Sequence, residues 1–201
     1  MSRFIVIEGL DGAGTTTQTK RLVSWLESRA ITVLNTREPT DRSVGRLIRQ
    51  VLNGDPLAPS IETLPWLFAA DRADHIYGEI QPALEAGTWV VSDRYYHSSL
   101  AYQSLHHPLE EVDALNRQFR TPDLTIFLEI SVDDALTRIE KRGEAREVYE
   151  QREHLERIAA AYGEVIRLLG SRGEPILRMD ATDPIDYIAE RIRDAIREIA
   201  R

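Results

Sequence analysis

The stretch Arg3-Phe4-Ile5-Val6-Ile7-Glu8-Gly9-Leu10-Asp11-Gly12-Ala13-Gly14-Thr15-Thr16-Thr17 decides the fold. Arg3 to Glu8 is a short apolar run ended by Gly9, which reads as a strand buried inside a parallel sheet. Gly9, Gly12 and Gly14 follow, and from Thr16 to about Arg29 the chain carries Leu22, Val23 and Leu26 at helical spacing. Glycine accepts positive φ and lets backbone amides come close to a bound anion. A helix start adds free N–H groups and a partial positive charge. Gly9, Leu10, Asp11, Gly12, Ala13, Gly14, Thr15, Thr16 and Thr17 therefore have the layout of a phosphate cradle. The Thr16 hydroxyl in the first helical turn is a candidate Mg²⁺ ligand.

Outward from this unit, short apolar runs alternate with longer amphipathic segments. Strands are expected at Ile31–Thr36, Thr88–Ser92, Leu124–Ile130 and Pro175–Met179. Helices are expected around Val44–Leu52, after Ser60, at Pro82, from Arg94 to Gln103, at Asp133–Arg142, at Tyr149–Leu169 and from Pro184 to Ala200. Ser60 is read as a helix cap and Pro82 as a first-turn residue. The alternation predicts an α/β fold, a parallel sheet with helices on both faces. A chain of 201 residues reads most simply as one domain, 1–201, with a real core.

Composition narrows the function. The net charge is −8, from 33 acidic and 25 basic residues, which argues against a nucleic-acid-coating protein. Cysteine is absent, excluding disulfides and thiolate chemistry. No apolar run approaches the ~20 residues of a membrane helix, and Phe4–Ile7 is too short for a signal-peptide core. No membrane partner is expected, and the expected location is cytoplasmic. Only Lys20 and Lys141 among the 25 basic residues are lysine.

That shortage meets the phosphate cradle at one position. The pattern G-x-x-x-x-G-K-[ST] fails at Thr15, where lysine would reach the β- and γ-phosphates. Lys20 is about 7.5 Å and about 140° further along the helix. Losing one charge-assisted contact costs roughly 1.5–3 kcal/mol. Three explanations stay open: an arginine from elsewhere compensates, the protein is a weak enzyme or a binder, or the residue was deliberately changed.

A second constellation follows the strand Thr88–Ser92. Asp93 falls at the carboxyl end of a parallel strand, where ligands bind in such folds. It could hold Mg²⁺ through water, and Arg94 could clamp phosphate bidentately. A plain structural salt bridge is the alternative reading of this pair.

Here the chain resembles the thymidylate kinase family, over nearly its whole length. The signature D-R-Y-x-x-S-x-x-A-Y-Q matches Asp93 to Gln103. Thr36-Arg37-Glu38-Pro39 matches T-R-E-P, Leu67 to Arg72 matches L-F-A-A-x-R, and Pro122 to Leu128 matches P-D-L-x-I-F-L. The resemblance implies a P-loop NTPase-type three-layer sandwich with a five-stranded parallel sheet and a short lid at about 138–150. It implies transfer of the γ-phosphoryl of ATP to dTMP, with Mg²⁺ held by Thr16 and Asp93. Phe68 would stack on thymine and Arg72 would bind or cover the base. Arg49 and Arg94 would hold the dTMP phosphate, and Asp11 the sugar 3′-hydroxyl. Ser98, Ser99 and Gln103 would contact the base, Tyr102 would exclude ribonucleotides, and Glu38 and Pro39 would shape the wall. Gly12 stands where some members place an arginine, so Arg138, Arg142 and Arg146 on the lid would meet the ATP phosphates. Arg142 is the first expectation for replacing the missing charge. Asp180-Ala181-Thr182 would wrap adenine. Family members usually dimerise, and a homodimer is expected.

Overall fold

The structure, a computed structural model, describes residues 2–141 and 148–200, with the backbone alone at 148–151. Among the described residues, five strands form one sheet: β1 (Phe4–Gly9), β2 (Val33–Arg37), β3 (Trp89–Asp93), β4 (Leu124–Glu129) and β5 (Ile176–Asp180). Their order is β2-β3-β1-β4-β5, with every pairing parallel. The apolar run at Phe4 becomes the central strand, buried throughout.

Side chains of a strand alternate between faces, and the two halves of the core divide accordingly. Phe4 and Val6 pack with one set of helices: α5 (Tyr96–Gln103), α6 (Leu109–Asn116), α7 (Val132–Lys141) and α8 (Val148–Ser171). Ile5 and Ile7 pack on the other face with α1 (Thr15–Glu27) and α9 (Ile185–Ile199). The result is the three-layer α/β arrangement expected, with strand edges displaced by a residue or so. Helix α2 (Ser43–Leu52) packs on α3 (Leu64–His75), and the short α4 (Gln81–Glu85), with Pro82 in its first turn as expected, precedes β3.

Two expectations needed correction. Ser60 makes no side-chain cap and precedes only a 3₁₀ turn, Ile61–Thr63, before α3. Helix α6 was not expected at all.

The chain leaves β1 through α1 toward β2, and leaves β3 toward β4 on the opposite side of β1. Adjacent strands whose connections diverge open a crevice at their carboxyl ends. The loop after β1 and the residues after β3 therefore face each other, which is what positions the site.

Candidate active site

The loop after β1 is shaped by its glycines. Gly12 has φ 87 and Gly14 has φ 96. A Cβ on Gly12 would fall 2.8 Å from the Ala135 carbonyl oxygen, so only glycine fits there. Gly14 caps α1 in the left-handed conformation without a side-chain hydrogen bond. The first turn of α1 holds no acidic residue, which leaves its amide end free to attract an anion.

A cavity of about 430 Å³ opens over this loop. Its loop wall is Leu10, Asp11, Gly12, Gly14, Thr15, Thr16 and Thr17, and Arg37, Arg49, Asp93 and Arg94 face them. A second cavity, about 340 Å³ and mainly apolar, contains Phe68, Arg72, Ser98, Ser99, Tyr102 and Gln103. Asp11, Glu38, Pro39, Leu52 and Arg94 border both. Many of the residues expected for two ligands thus line two adjoining cavities that meet at Asp11 and Arg94, while Arg49, expected on the dTMP phosphate, lines the loop cavity alone.

Arg94 is held from several directions. Its φ is 73, a conformation disfavoured for a residue with a Cβ. The Arg94 amide donates to the Ile7 carbonyl at 2.9 Å, and Ser92 Oγ donates to the Arg94 carbonyl at 2.7 Å. The guanidinium donates to Asp11 at 2.6 Å, Ser98 Oγ at 3.0 Å and the Tyr162 hydroxyl at 3.2 Å. Burial opposes its charge, and the surrounding Tyr102, Tyr162, Asp11 and Glu8 outweigh that, holding its pKa well above the usual range.

Behind Arg94 lies Glu8, fully buried. Its carboxylate accepts from the Tyr95 amide at 2.8 Å, the Ser98 amide at 3.1 Å, Ser98 Oγ at 2.8 Å and Tyr162 at 3.1 Å. Burial, then the Glu8 charge, raises the Tyr162 pKa, which keeps the phenol protonated and able to donate. Neither Glu8 nor Tyr162 was expected at the site. A carboxylate closing an apolar strand was a readable signal for Glu8; nothing local marked Tyr162. Tyr162→Phe removes one donor to a buried carboxylate, and we expect a loss of about 1–2 kcal/mol. Thermal unfolding should then fall by about 2–8 °C; an unchanged midpoint would mean the hydroxyl is not engaged.

Arg72 is fully buried and its guanidinium is occupied by the protein. It donates to Glu38 and Ser99, both at 2.9 Å, and to Asn116 Oδ1. His75 bonds the other Glu38 oxygen through Nδ1 at 3.0 Å and Thr36 through Nε2 at 2.7 Å. Arg49 donates to the Pro39 carbonyl at 2.9 Å, the Thr40 carbonyl, and Asp41 at 2.7 Å. Tyr102 Oη and Gln103 Oε1 are buried without a hydrogen-bond partner among the described residues. His154, unexpected here, borders the second cavity. Burial, then Arg157 and His106, lowers its pKa.

Arg138 does not line the loop cavity. It donates to the carbonyls of Ala181 at 2.7 Å, Gly12 at 3.3 Å and Ala13 at 3.4 Å. It therefore ties the loop to the segment after β5. Arg142 and Arg146 lie outside the described residues.

The donors present fit a hard divalent cation. Thr16 Oγ1 donates to Asp93 Oδ2 at 2.5 Å, and Asp93 Oδ1 is buried without a partner among the described residues. Among those residues no cluster of three or more His, Cys, Asp or Glu could cage a metal. One carboxylate with a hydroxyl suits Mg²⁺, which keeps waters and shares substrate phosphates.

A five-stranded parallel sheet with a glycine loop at its switch point, faced by an acid and an arginine, is the architecture of the P-loop kinases. A family model described as Thymidylate kinase matches residues 7–192. The chain is 36% identical over 204 aligned positions to a protein named Thymidylate kinase from Alkalilimnicola ehrlichii, covering 96% of this chain and 92% of that one. It is 40% identical over 176 positions to the protein so named from Synechococcus sp., covering 81% and 84%. It is 43% identical over 152 positions to a Probable thymidylate kinase from Thermococcus gammatolerans, covering 71% and 72%. The chain belongs to the thymidylate kinase family. No helix among the described residues is long and apolar enough to cross a membrane.

Proposed function

We propose that this protein transfers the γ-phosphoryl group of ATP to dTMP, forming dTDP and ADP. The observation that carries the reading is the meeting of two cavities, one of mixed lining over the glycine loop and one mainly apolar, at Asp11 and Arg94. ATP phosphates lie on Gly9–Thr17, against the free amides of α1. Thymidine occupies the second cavity, with Phe68 against the ring and Ser98, Ser99 and Gln103 toward its polar edges. Arg72, already spent on Glu38, Ser99 and Asn116, frames the base more than it reaches for it. Tyr102 crowds the sugar 2′ position, and Asp11 accepts from the 3′-hydroxyl.

The dTMP phosphate sits at the junction, held by Arg94 and Arg49. One of its oxygens forms a bond to Pγ as the bond from Pγ to the β-phosphate oxygen breaks, the electron pair leaving with ADP. The acceptor phosphate is largely ionised near neutral pH, so no general base is required. Positioning and electrostatic stabilisation carry the rate. Mg²⁺, held by Thr16 and Asp93, would neutralise charge on the transferring phosphates. Arg142 and Arg146 complete the ATP side while Arg138 braces the loop through its carbonyls, with the lid at about 138–150 in a single domain of 1–201. A cytoplasmic homodimer belongs to the same reading.

Thr15, at the position of the P-loop lysine, supports a second reading: a nucleotide-binding relative with little turnover. An ADP-release assay with dTMP separates the two. We expect turnover with dTMP above that with UMP or thymidine. Nucleotide binding with no turnover above a no-enzyme control would establish the second reading; preference for UMP or a nucleoside would overturn dTMP as acceptor.

A further inference from the structure

We infer that Arg37 replaces the missing loop lysine: its guanidinium releases Asp41 and donates to the β- and γ-phosphate oxygens of the bound nucleotide. This rests on the ATP-binding reading above. Thr15 is nearly buried in the wall of the loop cavity, at 7% exposure. Among the described residues, three arginines share that cavity: Arg37, Arg49 and Arg94. Two of them hold the acceptor phosphate in the reading above. Arg49 bridges two backbone carbonyls and Asp41. Arg94 is locked by Asp11, Ser98 and Tyr162. Arg138 faces loop carbonyls, and Lys20 borders a neighbouring cleft that does not include Thr15.

Arg37 is different. Its side chain is 60% exposed, and its hydrogen bonds, at 2.9 and 3.1 Å, go to Asp41, itself 74% exposed. Exposed pairs of this kind contribute little and exchange readily. Asp41 keeps Arg49 at 2.7 Å when Arg37 leaves, so no carboxylate is stranded.

Reach is set by the sheet. Arg37 ends β2 directly opposite Asp93 on β3, and the Asp93 carboxylate already touches Thr16 at 2.5 Å. An arginine, several bonds longer than aspartate, spans from the adjacent strand to the start of α1. Its planar fork suits two phosphate oxygens at once.

The test is a double-mutant cycle of Arg37→Met and Thr15→Lys in the full chain. It is read first as calorimetric binding of a non-hydrolysable ATP analogue with Mg²⁺. We expect Arg37→Met alone to weaken binding about tenfold or more. In the Thr15→Lys background it should cost under about threefold, because the lysine already supplies the charge. Equal losses in both backgrounds, or a loss under about threefold in the parent, overturn the assignment. So does the same coupling appearing for Arg142→Met and not for Arg37→Met. Binding needs no turnover, so failure of the kinase reading shows separately as bound nucleotide without ADP release.

Discussion

Replacing Glu38 with alanine lowers the thermal unfolding midpoint by about 6–20 °C, from a loss of about 3–5 kcal/mol. Arg72 is fully buried and the Glu38 side chain is 2% exposed, with closest approach 2.7 Å. Removing the carboxylate leaves a guanidinium desolvated with only neutral acceptors at Ser99 and Asn116. His75 loses its Nδ1 partner in the same step. The pair itself is not a source of much stability, since desolvation consumes most of the Coulomb gain. Breaking it on one side is what costs. Glu38→Leu combined with Arg72→Met should therefore lose less than Glu38→Ala alone. A double variant worse than the single one by differential scanning calorimetry would show that the charges stabilise the fold directly.

Arg94→Met reduces kcat/KM for dTMP by about 10²–10³, the scale of one preorganised donor in a dry site. Arg94 stands where the cavities meet, and its backbone adopts φ 73 to do so. The protein thus carries strain to place one guanidinium. Folding should suffer less than catalysis, because Ser98 and Tyr162 still bond Glu8 and each other. Arg94→Lys recovers little, since an ammonium lacks the rigid planar fork that meets two oxygens of one phosphate side by side. Initial rates with saturating ATP measure the loss. A decrease below tenfold would place the acceptor phosphate elsewhere.

The central part of this fold was legible because it is written locally. A buried strand, three glycines and a helix start are contiguous in the chain, and their period and turn chemistry need no partner to be read. Helix α6 was missed because it has eight residues and opens on Leu109-Glu110-Glu111 after Pro108, too short for periodicity to show. At the site, Asp93, Arg94 and the Phe68–Arg72 segment were found by motif. What each guanidinium does was not. Arg72, Arg49 and Arg138 are occupied by groups 34, 10 and 126 residues away, respectively. Such pairings belong to the topology and leave no mark on neighbouring residues. Tyr162 reads as an ordinary core position of α8, and only the fold brings its hydroxyl to Glu8.

That contact has a consequence for synthesis of the chain. Glu8 and Tyr162 are separated by 154 residues, and contacts so distant close late. A nascent chain reaching only the end of α7 already contains the entire phosphate loop and Arg94. It lacks the helix that completes the ring of donors around Glu8, so the carboxylate and arginine would still compete for water. Competence at the centre of the sheet is therefore withheld until the ribosome has passed Tyr162, long after the phosphate loop has been made.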